Sequence, residues 1–230
     1  MVPKQPAQLS EYAIACLRAL AGKGLGRFLS LGGALGLMHY LEYRSTHDVD
    51  AWWSPNVTAE EMERVLTAVE EALAAFGDVK KRSWGDVVSL DLKVGKDAAF
   101  SFQIAARSAQ LEPSAPAPWV DILLDSLPDL IAGKMVALVE RGAPRDFRDI
   151  YSLCRAGVTS ASECWNLWRL RQEKAGSDTD PSRARLAVET HLERIARHRP
   201  LEGIDDPARR EEAERVRRWF KTELLDALPR

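Results

Sequence analysis

Two aspartates, Asp48 and Asp50, lie two positions apart in a segment that reads Asp-Val-Asp-Ala-Trp-Trp. The segment is typical of a strand, and residues two apart on a strand point to the same face. Two carboxylates side by side repel each other unless a cation lies between them. A hard divalent cation such as Mg²⁺ takes oxygen ligands and keeps phosphate oxygens as its other partners. The pair therefore favours metal-assisted chemistry on phosphates.

A glycine pair, Gly32 and Gly33, precedes the aspartates and follows a short apolar run. The pattern predicts a buried strand over 27–31, a tight turn, and a helix over 34–43. Glycines at such a helix start let a ligand approach backbone N–H groups, which favour phosphate. Either feature alone is common in proteins, but their order and spacing together indicate a site that holds a triphosphate beside a metal ion.

A second polar cluster follows much later in the chain. Lys134 lies in a helix predicted over 130–140, and Arg141 follows its last residue. The two are seven positions apart, so they share one helix face. Lys134 would meet a triphosphate as a point charge and Arg141 as a planar donor. Asp146 and Asp149 lie near the start of the next predicted helix. Asp146 either caps that helix or takes part in catalysis, and Asp149 either joins the site or pairs with a neighbouring arginine.

The composition is that of an ordinary globular protein, with 46% hydrophobic and 29% charged residues. The formal net charge is −2, so the chain lacks the overall positive charge that is typical of many nucleic-acid-binding proteins. Cys16, Cys154 and Cys164 form no CxxC pair, and we expect reduced thiols. The N-terminus lacks the features of a secretory signal, and the longest apolar stretch, Leu29–Met38, is too short to cross a bilayer.

The two blocks together resemble the AbiEii/AbiGii toxin family, within the polymerase-beta-like minimal nucleotidyltransferase superfamily. In that family a Gly-Gly or Gly-Ser turn precedes an Arg-Ser-x-x-Asp-x-Asp segment, which is similar to residues 32–33 and 44–50 here. Lys-x-x-Ala-x-x-x-Arg and Arg-Asp-x-x-Asp motifs follow, similar to residues 134–141 and 145–149. The resemblance spans about residues 25–155, and it is specific because two separated blocks match in order.

The resemblance implies an α+β fold, with a polymerase-beta-like nucleotidyltransferase core in which helices flank a small mixed sheet. We expect this core at 1–126 and a helical C-terminal lobe at 127–230 that contributes the Lys, Arg and Asp motifs to the site. Local patterns predict a capped helix that begins at Thr58, and strands over 87–94 and 100–105 that form a hairpin. A short strand is predicted at 119–124, and further helices at 146–155, 160–173, 183–197 and 207–225.

The resemblance also implies roles for the motif residues. The expected catalytic residues are Asp48, Asp50, Lys134 and Asp146, and Asp48 and Asp50 are the expected ligands of one or two Mg²⁺ ions. The expected nucleotide-binding residues are Gly32, Gly33, Arg44, Ser45, Lys134, Arg141 and Asp149. The NTP is then the substrate, and Lys134 neutralises the leaving pyrophosphate.

The chain departs from the superfamily mainly in lacking an obvious third carboxylate. Many members carry this carboxylate on a later strand, where it acts as a base or a metal ligand. Here that strand offers Gln103, and an amide can coordinate a metal but cannot take a proton. Asp91, on the preceding strand, is the tentative third acid. It is otherwise an exposed residue on a half-buried strand.

The resemblance implies a Mg²⁺-dependent nucleotidyltransferase that acts as the toxin of a toxin–antitoxin pair in a prokaryotic cytoplasm. The implied acceptor is RNA, with the 3′ end of tRNA as the leading case, and the implied setting is antiphage defence with a cognate antitoxin as partner. Two alternatives stay open. One is an enzyme that places AMP on a protein hydroxyl, and the other is a nucleotide-binding regulator or partner-binding protein without turnover.

Overall fold

A computed structural model describes residues 1–228 of the chain, which divides into two compact units. The first unit is Met1–Leu130 and the second begins at Ile131. The division falls inside a helix. The first unit contains the sheet and three complete helices, and the second is helical.

The first unit is built around a mixed sheet of seven strands in the order β3-β4-β5-β2-β1-β7-β6. Its strands are β1 (Leu29–Leu31), β2 (Asp48–Trp53), β3 (Asp78–Trp84), β4 (Val87–Val94), β5 (Asp97–Ala105), β6 (Ala115–Pro116) and β7 (Leu123–Leu124). Its helices are α1 (Glu11–Gly22), α2 (Gly33–Met38) and α3 (Ala59–Ala74), and the boundary helix is α4 (Leu127–Glu140). The β2–β5 and β1–β7 pairs are parallel and the other pairs are antiparallel. The expected mixed sheet flanked by helices is confirmed.

The two faces of the sheet differ in character because the side chains of β2 and β5 alternate. Val49 and Ala51 on β2, with Phe102 and Ile104 on β5, point to a buried apolar face. Helices α1 and α3 pack on that face and complete the hydrophobic core. Burial of this apolar surface is the main favourable contribution to folding. The opposite face carries the polar side chains.

The start of α3 follows the sequence prediction. Thr58 Oγ1 accepts a hydrogen bond from the backbone N–H of Glu61 at 3.2 Å, and Glu61 Oε2 accepts one from the backbone N–H of Thr58 at 2.9 Å. This reciprocal capping box satisfies two N–H groups that the helix itself cannot bond. The predicted capping box is therefore confirmed.

Several predicted elements are shorter than expected. Helix α2 ends at Met38 rather than at 43, because the chain must turn back within a few residues to place β2 antiparallel to β1. The strand expected at 27–31 begins with a 3₁₀ turn over Gly26–Phe28, and only Leu123–Leu124 of the segment 119–124 is a strand. The edge strand β3 was not predicted at all.

His39 is a buried neutral side chain just beyond α2. Its Nδ1 lies 2.9 Å from the carbonyl oxygen of Leu35, and its Nε2 accepts a hydrogen bond from Trp119 Nε1 at 3.1 Å. An imidazole that accepts at Nε2 carries its proton on Nδ1, so the ring is neutral. Burial lowers the pKa of His39, against the opposing effect of its backbone hydrogen bonds.

Helices make up the second unit, as the sequence predicted. They are α5 (Pro144–Arg155), α6 (Ala161–Ala175), α7 (Pro181–His198) and α8 (Pro207–Trp219), and a π-helical turn at Phe220–Leu224 follows. The buried indole of Trp165 donates a hydrogen bond to the carbonyl of Leu224 at 2.7 Å. The three cysteines of the chain are free thiols, as expected. Within residues 1–228 no helix combines the length and apolar character needed to cross a membrane.

Candidate active site

The two β2 aspartates lie on the polar face of the sheet. Asp48, Asp50 and Trp52 are half-buried on this face, whereas the residues between them are buried on the other. The backbone N–H of Asp48 donates to Thr46 Oγ1 at 3.3 Å, which shapes the entry to the strand. The structure therefore places both carboxylates side by side, as the sequence predicted.

The glycine turn between β1 and α2 lies directly beside the second aspartate. The backbone N–H of Gly32 donates to the carbonyl of Asp50 at 2.8 Å. Gly33 has a φ of +56°, and a Cβ atom at Gly33 would collide with the Asp50 carboxylate. At Gly32 a Cβ would collide with the indole of Trp52. Glycine is thus required at both positions, for backbone conformation at Gly33 and for space at both.

The donor set at this turn fits a divalent cation that is also held by a nucleotide. Within residues 1–228 no three His, Cys, Asp or Glu side chains form a group that could hold a metal ion. Mg²⁺ is usually bound through one or two carboxylates together with substrate phosphates. Asp48 and Asp50 supply the two carboxylates. They would hold the ion, and a triphosphate would complete its coordination.

Strand β5 places an amide, rather than a carboxylate, beside the aspartate pair. In the parallel β2–β5 pair, Gln103 lies opposite Asp50 and Ser101 lies opposite Asp48. The amide of Gln103 donates to Ser101 Oγ at 3.3 Å. Neither side chain can act as a base at neutral pH. This part of the site can therefore orient ligands but cannot take their protons.

Asp91, the tentative third acid, lies on the same face but one strand further from the aspartate pair. It is opposite Ser101 in the β4–β5 register, and its carboxylate pairs with Arg82 at 2.6 Å. Ser89 and Ser101 donate to it at 2.9 and 3.0 Å. Burial raises the pKa of Asp91, but these hydrogen bonds and the Arg82 charge outweigh burial and lower it overall. A carboxylate held ionised in this way is a poor proton acceptor.

Arg44 and Ser45 lie in the loop that leads into β2. Arg44 Nη1 donates to the carbonyl of Ser45 at 3.2 Å, and the Arg44 guanidinium lies 5.9 Å from the ring centroid of Tyr43. Both residues are close to Asp48 in the chain, and both stay predicted nucleotide ligands.

A buried network beside the glycine turn was missed from the sequence. Arg107 Nη2 donates to Ser30 Oγ at 2.5 Å and to Asp125 Oδ1 at 2.6 Å, and Ser114 also donates to Asp125. The side chains of Arg107 and Asp125 are 9% and 3% exposed. The Arg107 guanidinium lies 6.0 Å from the ring of Trp52, and among the described residues its Nη1 has no hydrogen-bond partner. No motif marks these residues, because sheet order alone brings them together.

In the second unit, Lys134 on α4 and Asp149 on α5 form a buried ion pair. Lys134 Nζ lies 2.8 Å from Asp149 Oδ2, and the two side chains are 8% and 0% exposed. The sequence left open whether Asp149 pairs with an arginine or joins the site. In the structure Asp149 pairs with Lys134, so the Lys-x-x-Ala-x-x-x-Arg motif and the Arg-Asp-x-x-Asp motif are in direct contact.

Arg141 and Asp146 form a second pair across the α4–α5 turn. Arg141 Nε and Nη2 donate to the two oxygens of Asp146 at 2.9 Å each. Asp146 also accepts from the backbone N–H of Ala143 at 3.1 Å, so it caps α5. The carboxylate is fully buried while Arg141 is half exposed. This arrangement favours a role for Asp146 in holding Arg141 over a role as proton acceptor.

Comparison with known families decides what kind of protein this is. The sequence profile of the nucleotidyl transferase AbiEii toxin family, of type IV toxin–antitoxin systems, matches residues 17–227. The chain belongs to this family. The match includes every motif residue from Gly32 to Asp149, and the resemblance drawn from the motifs is confirmed.

Solved structures support the fold of this AbiEii-family protein. A structure from H. pylori, described as a nucleotidyltransferase, aligns with 96% of this chain and 100% of its own, at a TM-score of 0.52 and 16% identity. An antigenic nucleotidyltransferase-like protein from Paracoccidioides brasiliensis aligns with 92% of this chain and 95% of its own, at a TM-score of 0.40 and 14% identity. A search of curated proteins found no match.

The AbiEii-family protein is thus a nucleotidyltransferase. Its mixed sheet flanked by helices is the expected fold. Family membership does not by itself assign the individual side chains. The roles of the Asp48–Asp50 pair, the glycine turn, Arg44 and Ser45 remain predictions. So do those of the two ion pairs of the second unit.

Proposed function

We propose that this AbiEii-family enzyme transfers a nucleotide from an NTP to a hydroxyl of RNA, with Mg²⁺ held by Asp48 and Asp50. The observation that carries the proposal is the position of both carboxylates on one sheet face beside the Gly32–Gly33 turn. Carboxylates supply metal-binding oxygens, and the two glycines let the side chains of Asp50 and Trp52 lie directly against the backbone of the turn.

In the proposed reaction the acceptor oxygen forms a bond to the α-phosphorus of the NTP while the bond to pyrophosphate breaks. The bound metal ion would offset negative charge on the phosphates. The acceptor proton passes to solvent, because Gln103 cannot accept it and Asp91 is held ionised. Lys134 and Arg141 keep their predicted role of offsetting charge on the triphosphate, and within the second unit their ion pairs with Asp149 and Asp146 hold them in place.

We further propose that the protein is the toxin of a toxin–antitoxin pair in the cytoplasm, with a cognate antitoxin as its partner. The family description supports the toxin and antitoxin roles. The 3′ end of tRNA is the leading acceptor, and antiphage defence is the proposed setting. Growth inhibition on expression, relieved by co-expression of the neighbouring gene, would support both the toxin and the antitoxin roles.

The test is incubation of the protein with each labelled NTP, Mg²⁺ and total RNA, followed by a gel that separates RNA from protein. We expect label in RNA, and its loss in Asp48→Asn, in Asp50→Asn and when the metal is chelated. Asp97→Asn, an exposed position in the β4–β5 hairpin, is the matched control and should transfer normally. Full transfer by Asp48→Asn or Asp50→Asn would contradict the mechanism.

The same gel separates the alternatives. Label in a protein band, with none in RNA, would favour transfer of a nucleotide to a protein hydroxyl. Nucleotide binding without any labelled product would favour a regulator that lacks turnover.

A further inference from the structure

The polar face of the sheet continues outward from the aspartate pair. In the strand registers Asp48 lies opposite Ser101, Ser101 opposite Asp91, and Asp91 opposite Lys80. Residues directly opposite each other in a sheet point to the same face. One row of side chains on this face therefore leads from the candidate metal site to the edge strand β3.

The contacts of β3 confirm which of its side chains share this face. Arg82 pairs with Asp91 on the polar face, whereas Lys81 pairs with Glu63 of α3 on the opposite side. Alternation along the strand then places Lys80 and Trp84 with Arg82.

The outer part of this face is exposed and carries cations beside an aromatic ring. Lys80, Arg82 and Trp84 on β3, with Lys93 on β4, are exposed, and Trp84 is 49% exposed. We call these four residues the outer sheet face. Within residues 1–228 neither Lys80 nor Lys93 makes an ion pair, whereas Arg82 forms one with Asp91. The nearest further carboxylate in the register is Asp78, opposite Lys93, so positive charge exceeds negative charge here.

Trp84 also has a counterpart nearer the candidate site. The register places Trp84 opposite Val87, Val87 opposite Ala105, and Ala105 opposite Trp52. A row of apolar side chains thus connects an exposed indole at the sheet edge with the half-buried indole beside the glycine turn. Three strand spacings separate the two, about 14 Å.

We propose that the outer sheet face binds the single-stranded end of the RNA acceptor, a proposal that rests on the proposed function. A base stacks on Trp84, and Lys80 and Lys93 contact phosphates. Sheets that present aromatic side chains stack two or three bases of single-stranded RNA in this manner. The terminal hydroxyl then reaches Asp48 and Asp50 along the same face. The acceptor is recognised as single-stranded RNA.

Strand addition by a protein partner is the other use of an exposed edge strand. Consecutive charged residues along an edge oppose such pairing. β3 carries Lys80, Lys81 and Arg82 in succession. Charge on this strand therefore disfavours a protein strand, while it attracts a polyanion.

The experiment measures binding of a fluorescein-labelled single-stranded RNA oligonucleotide by the full chain, together with the KM values for RNA and NTP. Trp84→Ala should weaken RNA binding about tenfold, the effect of losing one stacked base, and Trp84→Phe should restore most of it. The double variant Lys80→Ala/Lys93→Ala should lower the slope of log Kd against log salt by about 1.4, as expected for two lost phosphate contacts. The KM for NTP should stay unchanged in all of them.

Lys81→Ala is the matched control, because Lys81 lies on the same strand but faces α3. Thermal unfolding checks that each variant is folded. If the wild type transfers to RNA but Trp84→Ala and the double variant bind RNA like Lys81→Ala, the outer sheet face is not the acceptor surface. If the wild type neither labels nor binds RNA, the proposed function fails, and this surface fails with it.

Discussion

The buried Lys134–Asp149 pair offers a test that separates stability from chemistry. Lys134→Met removes the charge but keeps a side chain of similar length, and it leaves Asp149 as a carboxylate that is 0% exposed. Removal of one partner from a buried ion pair typically costs about 3–5 kcal/mol, because the remaining charge stays desolvated. The loss is large against a total stability of about 5–15 kcal/mol for a domain. We therefore expect a large fall in the midpoint of urea unfolding.

The double variant Lys134→Met/Asp149→Asn removes both charges, and the asparagine keeps an oxygen acceptor for the other contacts of that position. Its destabilisation should be smaller than the summed destabilisations of Lys134→Met and Asp149→Asn by about 2 kcal/mol or more. Far-UV circular dichroism in urea measures all four proteins of the cycle. Additive losses would refute the conclusion that the pair is energetically coupled.

Nucleotide transfer by the same four proteins then tests the role of Lys134. Assayed well below the urea midpoint, the double variant should be folded but still inactive, because no cation remains at that position. A double variant that recovers both stability and transfer would mean that Lys134 serves the fold alone. The matched surface control is Lys174→Met, which makes the same substitution at an exposed lysine in the last turn of α6.

Three further outcomes follow from the first unit. Gly33→Ala should abolish nucleotide binding, measured by calorimetry, because the new Cβ would collide with the Asp50 carboxylate. Gly24→Ala is the control: Gly24 has a similar φ of +65° and no atom within 4 Å of the added Cβ, so this variant should lose only about 1–2 kcal/mol of stability. Stability should fall as the pH drops below about 6.5, because His39 binds a proton in the unfolded chain but, with its lowered pKa, stays neutral in the folded protein. In thermal unfolding, His39→Gln should lack this part of the pH dependence. Arg107→Met should cost about 3 kcal/mol in urea unfolding by leaving buried Asp125 without its cation, and Arg107→Lys should cost less.

Local signals in the sequence were sufficient for the elements that carry the aspartates. The alternation of β2, the glycine turn and the capping box of α3 each depend on residues close together in the chain. Strand β3 could not be predicted in this way. It lies at the sheet edge, so most of its residues are exposed on both faces, and the alternation that marks a half-buried strand is absent.

Contacts between distant segments account for what the sequence left open in the site. Arg107 meets Ser30 and Asp125 only because β7 lies next to β1 in the sheet. In the same way, Asp149 could be assigned to Lys134 only once α4 and α5 were seen to pack together. Spacing along the chain supplies neither sheet order nor helix packing.

The amide at Gln103 has a consequence for how metal and nucleotide bind. A third carboxylate opposite Asp50 would add repulsion to the empty site and attraction for the ion. With Gln103 there instead, the proposed site offers two carboxylates, and much of the charge that would hold Mg²⁺ must come from the triphosphate itself. We therefore infer that the metal binds weakly alone and tightly with NTP. Because such coupling is reciprocal, NTP should in turn bind weakly without the metal.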